Sequence, residues 1–133
     1  MRLKICCLTL LLLSALSCGS NAPNFKSYQL PSGKEIKVTG VVKMDFPNSD
    51  PALVMNYLTD ISIDDKTALR KEVDEIWDVF QKDVENAHLK GGVIRATHVE
   101  GTGFVKSGKG YGFVFVKRDD GKWHCLDDDK KEK

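Results

Sequence analysis

Apolar and polar residues alternate along the segment that follows residue 25. Lys26 to Leu30 and Lys34 to Phe46 are both extended in character, and Pro31-Ser32-Gly33 between them supplies the preset and the permissive φ of a hairpin turn. Gly40 interrupts the alternation of the second arm, which indicates a β-bulge. We expect the apolar residues of that arm to share one face of a strand. They are Ile36, Val38, Val42, Met44 and Phe46.

The segment from Ala52 to Ile61 fits two structures. Asp50-Pro51 before it favours a helix, because proline is tolerated at the first helical position. An apolar residue at every second position and the β-branched pair Thr59 and Ile61 favour a strand. The alternating residues are Leu53, Met55 and Tyr57. We expect a strand.

A helical period runs from Asp64 or Asp65, which is placed to cap a helix, to about Leu89, and Gly91-Gly92 ends it. Its apolar residues, spaced by threes and fours, are Leu69, Val73, Ile76, Trp77, Phe80, Val84 and Ala87. The expected outer face carries Arg70, Glu72, Asp74, Glu75, Asp78, Lys82 and Glu85. A helix of about six turns with one apolar stripe needs a sheet to lie on.

Three more strands are predicted after the helix, from Val93 to Glu100, from Tyr111 to Arg118 and from Lys122 to Leu126. A glycine-rich loop separates the first two, and Asp119-Asp120-Gly121 is typical of a tight hairpin turn. The predicted fold is therefore α+β, with one long amphipathic helix packed on an antiparallel sheet of five or six strands.

The N-terminus has a different pattern. Arg2 and Lys4 are followed by an apolar run over residues 5–13, broken by Thr9, and by small residues before Cys18. This order is typical of an export signal, and the run is too short to span a bilayer. The segment resembles the signal of bacterial lipoproteins, in which the cysteine after the cleavage site is acylated and becomes the new N-terminus.

The resemblance implies a signal peptide over residues 1–17, acylation of Cys18 and attachment to the lipid bilayer through a lipidated tether over residues 18–24. Gly19 after the cysteine, in place of Asp, implies the outer membrane with the domain facing the periplasm. Ala15 and Ser17 also satisfy the rule for ordinary secretory cleavage at the same bond, so free secretion is the alternative. The rest of the chain divides into one domain, residues 25–126, and a charged disordered tail, residues 127–133.

Charge argues against a nucleic-acid partner. Loss of Arg2 and Lys4 with the signal turns 20 basic and 19 acidic residues into 18 and 19. The segment from Lys109 to Val116 resembles the octapeptide of the RNA-recognition motif in all but its last position, which would place Tyr111 and Phe113 against bases. That family needs a second helix and a fourth strand, and the residues from Asp119 onward are too few for both. We expect no nucleic acid.

Nothing in the sequence requires a cofactor or a metal. A near match to a phosphate-binding loop begins at Gly103, but Gly110 stands where a magnesium-binding hydroxyl belongs and a strand follows. The three histidines, His88, His98 and His124, lack metal-ligand spacing. We expect no cofactor, no metal site and no catalytic residues.

The strand that begins at Tyr111 is apolar on both sides. Tyr111, Phe113 and Phe115 lie on one side, and Val114 and Val116 on the other. One side lies under the helix, and the second must be covered by a loop, a protein partner or a small apolar ligand. The three aromatic residues are the candidate partner-binding residues if they face away from the helix. Ring area favours burial of Phe113 and Phe115 and partial exposure of Tyr111.

Cys125 is the one cysteine left once Cys18 is acylated, and we expect a buried, inert thiol. The predicted function is a non-catalytic envelope lipoprotein that binds another envelope protein through the second face of its sheet. The alternative is an exported thiol or hydrolytic enzyme that uses Cys125 and a histidine, with His98 the conceivable partner. In a freely secreted chain, Cys18 and Cys125 are also free to form a disulfide.

Overall fold

The computed structural model describes residues 26–102, 104 and 106–130. These residues form one helix and a six-stranded sheet, so the α+β prediction is confirmed. In chain order the elements are β1 (Lys26–Gln29), β2 (Glu35–Phe46), β3 (Ser49–Leu58), α1 (Lys66–Asn86), β4 (Gly91–Glu100), β5 (Ser107–Lys117) and β6 (Trp123–Cys125). The ambiguous segment after Pro51 is thus a strand, as expected.

The strands lie in the sheet in the order in which they occur along the chain. Neighbouring strands are antiparallel, with one exception: β3 and β4 run parallel. The prediction of an antiparallel sheet is therefore wrong at its centre, and the sheet is mixed. The reason is the connection, because α1 carries the chain back to the end of the sheet where β3 began before β4 starts.

The helix is shorter than the sequence suggested. It begins at Lys66, where the Asp65 side chain accepts a hydrogen bond from the Ala68 amide at 3.0 Å, and it ends at Asn86 after 21 residues. His88 has a φ of 56°, a left-handed conformation that stops the helix before Leu89. The buried residues of α1 are Leu69, Glu72, Val73, Ile76, Trp77, Phe80 and Val84.

The helix-facing side of the sheet carries the main core. Trp77 of α1 stacks on Phe115 of β5 with ring centroids 4.1 Å apart and lies directly over Gly92 of β4. A Cβ atom at Gly92 would stand 2.6 Å from the Trp77 ring, so this position requires glycine. The sheet residues of this core include Ile36, Val38, Met55, Tyr57, Ile94, Ala96, Phe113, Phe115 and Cys125.

A second apolar cluster lies on the opposite side of the sheet. Its buried members are Ala52, Val54 and Val93, and partly buried apolar residues of β2 and β5 pack against them. The packing residues are Met44, Phe46 and Val114. The sheet is therefore apolar on both faces, although α1 covers only one.

The bulge in β2 connects the two faces. Val38 pairs with Tyr57 and Gly40 with Asn56, so Thr39 is the extra residue. It reverses the alternation, and β2 contributes to the helix-facing core before the bulge and to the opposite face after it. Gly40 was expected to mark a bulge, which is confirmed. The expectation that Ile36 and Val38 share a face with Val42, Met44 and Phe46 is wrong for this reason.

Part of the predicted disordered tail is ordered. Residues 126–130 form turns, and their carboxylates bind side chains of the folded domain. Asp128 accepts two hydrogen bonds from Arg70, at 2.7 and 3.0 Å, and Asp127 accepts one from Tyr111 at 3.1 Å. Asp129 accepts a hydrogen bond from Arg118, so the charge run is held against the domain up to residue 129. Residues 131–133 lie outside the described part of the chain.

The predicted signal peptide, the acylated Cys18 and the tether also lie outside the described residues. Within those residues, no helix combines the length and the apolar character needed to cross a bilayer.

Candidate functional site

The face of β2 to β5 that lies opposite α1 is concave, and we refer to it as the helix-free face. It encloses about 1010 Å³, and the turn between β2 and β3 forms one of its walls. Its apolar floor consists of Met44, Phe46, Ala52, Val54, Val93, Val114 and Val116.

Strand register explains why the floor is continuous. Val42 pairs with Val54, Val54 with Val93, and Val93 with Val114, so one residue from each of four strands forms a single row. Paired residues point to the same face of a sheet, and β-branched side chains pack well against such neighbours. At the edge of the row, Val42 remains 49% exposed. The row is accessible at its two ends, Val42 and Val114, because Val54 and Val93 between them are almost fully buried.

A glycine of β5 lies beside an arginine side chain on this face. Gly112 of β5 lies beside Arg95 of β4, and a Cβ atom placed on it would be 3.6 Å from the Arg95 Cγ atom. The stem of Arg95 therefore lies close to the backbone of β5, while the residue as a whole is exposed. Arg95 is thus one of the residues that line the concavity.

The charges around this concavity are mainly positive. Lys90, Arg95 and Lys117 line it together with one acid, Asp50. Lys117 is occupied, since its Nζ atom lies 3.4 Å from Glu85. Among residues 26–102, 104 and 106–130, neither Lys90 nor Arg95 has an acidic partner within 4.0 Å. Two exposed cations therefore stand beside the apolar floor with their charges unpaired there.

The three aromatic residues proposed from the sequence lie on the helix-facing side. Phe113 and Phe115 are each 3% exposed and belong to the main core, as their ring area favoured. Tyr111 is partly exposed, with the Lys66 ammonium 3.5 Å from its ring centroid. Burial and its hydrogen bond to Asp127 raise the pKa of Tyr111. On the helix-free face, β5 instead presents Val114 and Val116.

A buried carboxylate lies at one end of the helix-facing core. Glu72 was expected on the outer face of the helix, but it is buried and accepts hydrogen bonds from Tyr57 at 3.0 Å and Thr59 at 2.7 Å, while Lys34 forms an ion pair with it. These contacts join α1, β3 and the turn between β1 and β2. Glu72 lies three positions after Leu69 and four before Ile76, a spacing that places it within the apolar stripe.

Burial of Glu72 changes the acidity of its neighbour. Removal from water and the Glu72 charge raise the pKa of the Tyr57 hydroxyl well above its usual range. Tyr57 therefore stays protonated and donates to the carboxylate throughout the physiological pH range. The Glu72 carboxylate thus has three donors, and the network is best explained as a structural link between the helix and the sheet.

The structure does not bring Cys125 and His98 together. Cys125 pairs with Phe115 and Phe115 with Gly92, whereas His98 lies six positions further along β4, a separation of roughly 20 Å. His98 is hydrogen-bonded through Nδ1 to the Thr59 carbonyl oxygen at 3.0 Å. His124 adjoins Cys125 in β6 but points to the opposite face, towards Asp120.

The thiol itself is poorly suited to attack. Cys125 is buried, and burial raises its pKa, so the reactive thiolate is disfavoured. The described residues also contain no cluster of three or more histidine, cysteine, aspartate or glutamate side chains able to hold a metal ion.

Comparison with protein-family models, with curated protein sequences and with solved structures finds no match for this chain. Its function must therefore be inferred from its residues and their geometry.

Proposed function

We propose that this chain is a non-catalytic envelope lipoprotein that binds another envelope protein through the helix-free face. The observation that carries the proposal is the second apolar cluster, which lies on a face that no described element covers. A sheet with two apolar faces is normally covered on both. An apolar face that has an exposed edge at Val42 and a concavity lined by unpaired cations has the composition of an interaction surface.

Anchoring by lipid is the second part of the proposal and rests on the N-terminal sequence. Acylation of Cys18 would tether the domain to the periplasmic side of the outer membrane, with free secretion as the alternative. Intact mass spectrometry of protein made in a bacterial host tests it. We expect residues 18–133 plus a lipid adduct. A bare mass for residues 18–133 would favour secretion, and an unprocessed mass would refute both.

Partner binding is best tested with two neighbouring positions of β2. Val42 pairs with Val54 on the helix-free face, whereas Val41 pairs with Met55 on the helix-facing side, and Val41 is 38% exposed. The two valines are similar in size and exposure and differ in the face they occupy. A photo-crosslinking amino acid is placed at each position in the full chain, which is expressed in its native envelope.

We expect position 42 to crosslink to one discrete second protein and position 41 to give no such product. Val42→Glu, with the crosslinker moved to Val116, should remove the product, because it places a charge on the row of valines. Equal crosslinking from both positions would indicate random encounter. Absence of any product from position 42 would refute the proposed contact.

A further inference from the structure

We infer that the segment bound by the helix-free face is an amphipathic α-helix of another protein, with acidic residues beside its apolar stripe. This inference rests on the proposed function and names the chemistry of the partner. It is drawn from three features of the helix-free face: its dimensions, its lack of projecting side chains at two positions, and its charge.

The dimensions suit a helix. The apolar floor extends across four strands, a width of about 14 Å between the outer two, and a helix with its side chains measures about 10–12 Å across. The helix-facing side of the same four strands already carries a helix, α1. A second helix on the opposite face would complete the two-sided cover that a doubly apolar sheet normally has.

Two glycines add no side chain of their own to the floor. Gly91 of β4 and Gly112 of β5 both line the concavity and present only backbone to it. Ala52 and the row of valines beside them have short side chains, and Met44 and Phe46 are the larger members of the floor. Such a surface accepts the leucine or phenylalanine side chains that recur along one stripe of a helix.

Charge selects the kind of helix. Lys90 and Arg95 lack acidic partners among the described residues, and Asp50 is the one acid that lines the concavity. Acidic residues on either side of the partner's apolar stripe would pair with these two cations. A basic helix would bring like charges together, which is costly at an interface.

The same charges disfavour the other occupants. A second copy of this chain would present Lys90 and Arg95 again, so two copies would repel at this face. A small apolar ligand needs a site that encloses most of its surface. The edge of the helix-free face is instead open to solvent at Val42. An extended contact made by a protein segment is the better fit.

Two synthetic peptides of about 18 residues, long enough to fold on contact, provide the test. Both carry the same leucine stripe, and one is flanked by glutamate and the other by lysine. Their binding to the full chain, purified with its native N-terminus and held in lipid nanodiscs if acylated, is followed by fluorescence anisotropy at two salt concentrations.

We expect the glutamate-flanked peptide to bind at least about tenfold more tightly at low salt, with less advantage at high salt. Arg95→Gln and Lys90→Gln should each weaken its binding several-fold. Val42→Glu should abolish binding of both peptides, and Val41→Glu should leave both unchanged. An unchanged urea midpoint for each variant shows that the domain is still folded.

Equal affinity for the two peptides, preference for the lysine-flanked one or failure of both to bind would overturn the inference. Oleate serves as a probe for a small apolar ligand. Binding of oleate that Val42→Glu blocks, together with failure of both peptides to bind, would also overturn the inference. If the peptides fail but position 42 still crosslinks to a second protein, only the helix inference is lost. If the position 42 product is a dimer of this chain, or if no product forms, the proposed function fails as well.

Discussion

The two faces of the central sheet use the same strands but different side chains. Under α1 the strands present Met55, Tyr57, Ile94, Phe113 and Phe115, whereas the helix-free face presents mainly valine and alanine. Large rings expose much apolar area and need a cover that interlocks with them, and Trp77 provides it by stacking on Phe115. Valines in a row bury one another across the strands. The second face therefore buries part of its apolar area without a covering helix, and under our proposal a partner covers the rest.

Removal of the Trp77 ring from the helix-facing core should have the largest effect on stability. Trp77→Ala removes the stacked ring and leaves a cavity above Gly92, at an expected cost of about 3–5 kcal/mol in the free energy of unfolding. A domain of this size has only about 5–15 kcal/mol in total. Urea denaturation measures the loss, with Asp78→Ala on the exposed side of the helix as the control. Equal midpoints for the two variants would contradict the assignment of the core.

The Glu72 network should contribute the next largest effect. Glu72→Ala leaves the buried Tyr57 and Thr59 hydroxyls without their acceptor, and we expect a loss of about 1–3 kcal/mol. Glu72→Gln, which keeps an acceptor oxygen but not the charge, should lose less. Urea midpoints of the three proteins test this order. A glutamine variant as unstable as the alanine variant would show that the ion pair with Lys34, and not the two hydroxyl hydrogen bonds, dominates the network.

Alkaline pH should lower the free energy of unfolding through Tyr57, which belongs to the same network. The pKa of Tyr57 is raised in the folded state, while the unfolded chain releases this proton near pH 10. Folded protein then binds more protons than unfolded protein, so stability is retained below pH 10 and falls above it, by up to about 1.4 kcal/mol per pH unit. Urea midpoints measured from pH 8 to pH 11 should decline less steeply for Tyr57→Phe. Parallel curves would contradict the assignment to Tyr57.

Most elements of the fold were predictable from short sequence patterns. The Pro31-Ser32-Gly33 turn and the period of three and four after Asp65 each act within a few residues, and the hairpin and the helix are found where they indicate. The bulge was also signalled locally, by Gly40. Its consequence was not, because which face Val42 occupies depends on its pairing with Val54 in another strand. Strand order and direction are likewise set by connections over longer distances, and the parallel β3–β4 pair follows from the intervening helix.

The candidate site was anticipated as a surface but not in its residues. A strand apolar on both sides implied that the second face of the sheet needs a cover, and that inference required only Tyr111 to Val116. Which side lies under the helix was favoured by ring size alone, and the accessible residues proved to be Val114 and Val116. Arg95 and Glu72 were missed as members of a cluster, because their neighbours come from segments distant in sequence.

The smallest effect on stability is expected at Val41 and Val42, which lie on opposite faces of the sheet. Val41 and Val42 are both partly exposed, and replacement of either by glutamate should change the free energy of unfolding by no more than about 0.5 kcal/mol. Binding should nevertheless differ completely, because only Val42 lies on the helix-free face. Urea midpoints measure the stability of the two variants, and fluorescence anisotropy measures their peptide binding. If Val42→Glu also unfolds the domain, the valine row is part of the core and its exposed edge is not a binding surface.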